Sequence, residues 1–248
     1  MSRRSDLNRL YDLLDQLEAN VGGKQRLKNC TGYMDWPERG VYFFFAEDET
    51  RDSTDQLRLT RIGTHAVSSG SGTSLWNRLR THRGANRGTY EDGGNHRGSV
   101  FRKRVGEAMI ERDDLHGEYP HWGNGSSADR DRRLAELEHE RRVSQYIRDL
   151  PFLWVDVDDE PSPESDRAYI ERNAIALVSN YRKDPLDPRS DDWLGGDSPP
   201  DEISDSGLWN INHVGEQYDA AFLDRLVDAV ERIIGSLIDG VLAVIAFS

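Results

Sequence analysis

Tyr42, Arg61, Arg78, His82 and Glu171 are the residue types that could together handle a phosphate ester. Cleaving one needs an activated water, stabilised charge on the phosphoryl oxygens and relief for the departing 3′ oxygen. An arginine such as Arg78 offers a planar fork that holds two phosphate oxygens at once, which lysine cannot reproduce. A single carboxylate, Glu171, can hold one Mg²⁺ (or Mn²⁺) whose other ligands are water and phosphate oxygen. Tyr42 would orient or deprotonate the water, but its ordinary pKa of about 10 calls for adjacent cations, and Arg61 and His65 are the local ones. Each residue also has a plainer reading. Tyr42 can be a core aromatic beside Phe43, Phe44 and Phe45, Arg78 a salt-bridging arginine, and Glu171 a helix-surface carboxylate.

The elements that must position these residues are legible in outline. Ser5 and the leucines at 10, 13, 14 and 17 predict a helix over 5–21, stopped by Gly22-Gly23. GVYFFFA at 40–46 reads as a strand buried on both faces, and LRLTRIGT at 57–64 as its hairpin partner. Ser74 caps a helix over 75–82, which places Arg78 and His82 on one face. Further helices are expected over 99–110 and 128–150, then a strand over 151–157. A helix opening at Ser162-Pro163 carries Ile170, Ala174, Leu177 and Val178 up to Asn180. Residues 184–208 read as an extended acidic segment. SGLWNINHV at 206–214 either folds back onto the cleft or packs as a plain strand. A last helix spans 220–237, followed by VLAVIAF as a buried strand or tail.

Composition bounds the rest. The chain has 248 residues, 45 acidic and 32 basic, for a formal charge of −13, with a single cysteine, Cys30. No apolar run approaches the roughly 20 residues of a membrane span, and no signal peptide is evident, so a cytoplasmic protein without membrane contact is expected. One cysteine excludes an internal disulfide framework and multi-cysteine zinc sites. His116, His121 and His139 make a weak zinc reading, SSGSGTS at 68–74 lacks the Gly-Lys-[Ser/Thr] of a phosphate loop, and no Gly-x-Ser-x-Gly elbow occurs. Of the 32 basic residues only four are lysine. An acidic surface poor in lysine suits a very salty cytoplasm, with GC-rich coding as the alternative. The total charge argues against a polyanionic partner, but residues 76–104 carry eight basic and two acidic residues. That run makes Arg80, Arg83, Arg87, Arg97, Arg102, Lys103 and Arg104 candidates for nucleic-acid contact, against the reading that they pair with surface carboxylates.

The order of Gly40-Val41-Tyr42, Arg61-Ile62-Gly63, the Arg78 helix and the Glu171 helix with Asn180 resembles the GIY-YIG nuclease family. The resemblance spans roughly 40–180, with Arg61 standing where the family usually has a second tyrosine. It implies an α/β fold with a small three-stranded mixed or antiparallel sheet flanked by helices, an inserted helical and loop region, and a C-terminal helical extension. The expected divisions are an N-terminal helix at 1–35, a nuclease domain at 36–180 with an insertion at about 84–150, and an acidic loop and packing helix at 181–248. The implied function is a Mg²⁺-dependent endonuclease on DNA, of restriction or repair type, with RNA and the oligomeric state left open. Tyr42, Arg61, His65, Arg78, His82 and Asn180 would be catalytic, and Glu171 the metal ligand. The alternatives are a nucleic-acid-binding module of the same fold that has lost turnover, Arg61 being the lesion, and a protein–protein adaptor.

Overall fold

The computed structural model of the protein describes residues 2–233. Its helices are α1 (Arg3–Val21), α2 (Leu75–Arg83), α3 (Val100–Asp113), α4 (Arg130–Ala135), α5 (Leu137–Asp149), α6 (Asp166–Val178), the single turn α7 (Asp201–Ser204) and α8, helical over 222–233. Strands β1 (Gln25–Arg26), β2 (Gly40–Thr50), β3 (Leu57–Gly63) and β4 (Pro151–Asp156) form one sheet in the order β1-β4-β2-β3, antiparallel throughout. The sheet therefore has four strands, not three, and none is parallel. A two-residue β1 is too short to leave a periodic signal in a sequence.

Alternation along β2 builds two cores from one apolar run. Val41, Phe43 and Phe45 face α1, α6 and α8, meeting Leu10, Leu14, Ile170, Ala174, Phe222 and Leu226. Tyr42, Phe44 and Ala46 face the opposite layer, where α2, α3 and α5 supply Leu79, Phe101, Val105 and Val143. An antiparallel sheet commonly leaves one face to water, whereas here both faces are covered, which explains the unbroken run at 40–46.

Several boundaries differ from expectation. Helix α1 begins before Ser5, because Ser2 is the cap and its hydroxyl accepts the Ser5 N–H. The expected helix over 128–150 is two helices, α4 and α5, meeting at Glu136. The acidic stretch 184–208 is not extended. It contains a 3₁₀ turn at Leu194–Asp197 and α7, and it buries Trp193, Leu194 and Ile203. A few apolar anchors are enough to fold a segment whose average composition is polar. Residues 234–237 of the last expected helix, and VLAVIAF, lie outside the described residues. Among the described residues no helix is long and apolar enough to cross a membrane.

Candidate active site

The site gathers at the sheet end where β2 begins and β3 finishes. Tyr42 is fully buried on the α2 side, and its Oη lies 2.9 Å from His82 Nε2. Ser74 caps α2 by accepting the Asn77 N–H, which fixes the helix that carries Arg78 and His82. His82 Nδ1 lies 2.8 Å from Ser99 Oγ, the same hydroxyl that accepts the Arg102 N–H to cap α3. Burial, then Arg78, Arg61 and Arg102, push His82 well below the ordinary imidazole range, so the ring is neutral. Across the ladder Tyr42 pairs with Gly63, and a Cβ there would come within 2.3 Å of the phenol Oη. Glycine is what lets the ring lie over the neighbouring strand.

Arg78 lies against the phenol. Tyr42 first, and Glu171 more weakly, hold its guanidinium above its ordinary pKa in spite of burial. The Nε groups of Arg78 and Arg61 are both buried without a protein partner, and of the two side chains Arg78 is the more accessible. Arg61 is otherwise tied down, with Nη1 donating to Trp209 O at 2.8 Å and the guanidinium 5.2 Å from the Phe101 ring centre.

Glu171 arrives from the opposite layer. It sits on α6 and reaches past the end of β3, where Oε1 accepts the Thr64 N–H at 3.1 Å. Burial raises its carboxyl pKa, opposed by Arg61, the Thr64 N–H, His213 and Arg78. Among the described residues no protein donor reaches Oε2, and no three His, Cys, Asp or Glu side chains cluster as a cage for a metal. One carboxylate with a free oxygen fits a hard divalent ion that keeps water and phosphate oxygens as its other ligands.

A family model of the GIY-YIG domain matches residues 1–235. The chain belongs to the GIY-YIG domain family. The match runs from α1 into the last helix, wider than the 40–180 marked out by the motifs. Membership gives the chain a nuclease-type function, in a family that consists generally of endonucleases, acts on nucleic acid and typically uses divalent metal ions. No curated protein and no solved structure matches the chain.

Within this candidate site the structure brings Tyr42, Arg61, Arg78, His82 and Glu171 together and leaves other expected members outside. Asn180 lies nine residues beyond Glu171, past the end of α6 at Val178. Its side chain is spent on Arg3, on Leu186 N–H at 2.8 Å and on Leu186 O at 3.1 Å, so it ties chain segments together rather than facing the cleft. His65 does not supply a cation. Burial and then Arg167, Arg78 and Arg39 push it down to about 4, although its Nε2 lies 3.2 Å from Glu38 O. The cation beside the phenol is Arg78.

The expected basic face also shrinks. Arg102 is completely buried, bound to the Glu140 carboxylate, His82 O at 2.9 Å and Ser144 Oγ at 2.9 Å. Arg97 is clamped by both oxygens of Glu136, at 2.6 and 2.8 Å. Neither can reach a bound strand. Lys103 and Arg104 pair with Glu107, and Arg83 turns inward to Cys30 O and Asn86. Only Arg80 and Arg87 remain exposed with no ion pair among the described residues. In an acidic chain most arginines find a carboxylate, and Glu136 and Glu140 lie too far along the sequence for local charge counting to reveal them.

Three contributors carried little or no sequence signal. Ser99 entered only as the first residue of an expected helix, and Thr64 only as the last residue of an expected strand. His213, from the SGLWNINHV segment, stands near Glu171 in a left-handed backbone conformation (φ 69°) with Nδ1 2.8 Å from Glu216 Oε1. The zinc reading finds no support, since His139 is buried against Gly106 O and the Tyr119 ring.

Proposed function

We propose that the chain is an endonuclease that hydrolyses DNA phosphodiester bonds with one Mg²⁺ or Mn²⁺ held by Glu171. The observation that carries this reading is the meeting of the Tyr42–His82 pair, the Arg78 guanidinium and the free Glu171 oxygen at one sheet end. The metal, when bound, supplies charge for the phosphoryl and leaving oxygens. Arg78, only partly buried, holds the scissile phosphate, and the buried Arg61 adds positive charge behind it. Water attacks phosphorus as its proton passes to the Tyr42 oxygen, and the phenol proton passes in turn to His82 Nε2. The P–O3′ bond breaks, leaving a 5′-phosphate, and the 3′ oxygen takes a proton from water. This relay uses the tautomer in which Nδ1–H donates to Ser99 Oγ. Part of what keeps His82 neutral is the charge of Arg78 and Arg61, and a phosphate bound at Arg78 offsets that charge.

Arg61 at the usual tyrosine position leaves the Tyr42–His82 bond intact, because its side chain is anchored on Trp209 O and the Phe101 ring. The acid-rich, lysine-poor composition supports a working medium of high salt.

The test is incubation of a labelled DNA duplex with the protein in concentrated KCl, with Mg²⁺ or with chelator. Cleavage that needs the divalent ion, and that falls about 100-fold or more in Arg78→Lys, is expected from the loss of a bidentate donor. DNA binding without cleavage at any metal concentration would favour the binding-module reading instead.

A further inference from the structure

We propose that a groove beside α2, with Tyr33 at its rim and Arg80 and Arg87 along it, receives an unpaired DNA strand and stacks one of its bases on Tyr33. The inference rests on the nuclease reading only for the identity of the polymer.

The groove, about 680 Å³, is bounded by the turn at 31–33, α2 and the loop at 84–87. Its lining includes three arginines and no aspartate or glutamate, in a chain that has 45 acidic residues. Arg83, at its floor, is already bound to Cys30 O and lies 4.9 Å from the Trp76 ring centre. Arg80 and Arg87 differ from the other arginines of residues 76–104 that have turned inward or found carboxylates. They stay exposed and unpaired among the described residues, which leaves both guanidinium groups for phosphates.

Tyr33 is fully exposed at 101 % of its reference area, although a tyrosine ring usually buries its apolar faces. The turn that presents it is held against a rigid wall. A Cβ on Gly32 would meet Trp76 Nε1 at 2.7 Å, so glycine allows the turn to sit on the indole edge. Trp76 stacks on Trp36 at 5.0 Å, and Trp36 lies 4.5 Å from Trp154. Trp76, with Trp36 on it and Arg83 beside it, serves as backing, and Tyr33 has its ring free to stack.

Helical spacing puts Trp76, Arg80 and Arg83 on one stripe of α2, and Arg78 and His82 on the other side. The groove is therefore a helix width from the Tyr42 site, about 10–12 Å. A strand running over α2 would reach both. Bases inside a duplex are covered by their neighbours, so stacking on Tyr33 requires a base that is unpaired or flipped out. The groove thus assigns the substrate a single-stranded or opened segment beside the cut.

The test measures binding, with chelator present so that cleavage plays no part. A labelled 12-nucleotide oligothymidylate and a blunt duplex of equal length are titrated with wild type, Tyr33→Ala and Arg80→Ala/Arg87→Ala across a salt series. All three positions are exposed or face solvent at the groove, so the variants keep their fold, which far-ultraviolet circular dichroism checks. The single strand is expected to bind more tightly than the duplex. Tyr33→Ala should weaken strand binding about ten- to a hundredfold with an unchanged salt slope, from the loss of one stacked base. The double arginine variant should instead reduce the slope of log K against log salt by about 1.4, at about 0.7 per phosphate contact. Tighter binding of the duplex, or variants indistinguishable from wild type, would overturn the proposal. If such variants bind normally while wild type cleaves DNA, the groove fails and the nuclease reading stands. If strand binding depends on Tyr33 but wild type never cleaves, the nuclease reading fails and the groove stands.

Discussion

Gly63 and Tyr42 show how a motif pair becomes a single contact. The two lie opposite each other in the β2–β3 ladder, and the phenol occupies the space that any Cβ at 63 would need. Gly63→Ala should therefore cost about 1–3 kcal/mol, the usual range for overpacking, as measured by denaturant unfolding. It should also lower cleavage well beyond the stability loss, because the displaced ring carries the bond to His82. At this scale the sequence singled out Tyr42, Arg78, His82 and Glu171 by residue type and chain order, and the structure brings the four near one another. Asn180, Arg97 and Arg102 were singled out too, but do not join them. Their side chains are committed to partners that only the folded chain brings near, Glu140 being 38 residues from Arg102.

At the scale of elements, the free edge of β3 is covered by the segment at 206–214. Asn210 imitates a strand residue there, with Oδ1 accepting the Ile62 N–H at 3.1 Å and Nδ2 donating to Ile62 O at 2.8 Å. Trp209 adds a bond from its N–H to Thr60 O at 2.7 Å and accepts Arg61 at its own carbonyl. The segment thus both closes a sheet edge and anchors one of the site's arginines. Asn210→Ala removes both bonds to Ile62 and should cost about 1–3 kcal/mol, with faster hydrogen exchange at the Ile62 amide than in wild type. The sequence marked this stretch as an unusual polar and aromatic cluster, but its docking edge depends on long-range pairing. Strands β2 and β4 were readable because their apolar runs are continuous, and β3 as the partner that follows β2 across a polar connector, whereas β1 and the break between α4 and α5 left no pattern.

For the whole molecule, charge and burial set the response to acid. His65 and His139 are each pushed down to about 4, mainly by burial, and His82 lies well below its ordinary range. All three are neutral when folded and would take up a proton near pH 6.5 when unfolded. The stability they contribute is complete above about pH 6.5 and is lost as pH falls towards 4, at up to about 1.4 kcal/mol per histidine per pH unit. Glu171 and Asp156, raised by burial, act in the opposite sense just above the ordinary carboxyl range. Urea midpoints should therefore fall steadily between pH 6.5 and 4.5 at fixed salt, and a flat profile there would contradict the buried neutral histidines. The formal charge of −13 was a poor guide to the partner. The local count over 76–104 overstated the exposed basic face, because it could not separate arginines bound to carboxylates from Arg80 and Arg87.

If Glu171 holds the divalent ion on which cleavage depends, its amide variant separates DNA binding from turnover. Single-turnover cleavage of a labelled DNA duplex is measured for wild type and Glu171→Gln across a Mg²⁺ titration, with DNA affinity measured in parallel under chelator. Wild type should cut in a Mg²⁺-dependent manner, while Glu171→Gln should lose about 1,000-fold or more in rate and keep its affinity for DNA. Cleavage by Glu171→Gln at a rate near wild type, with the same Mg²⁺ dependence, would show that the ion is held elsewhere.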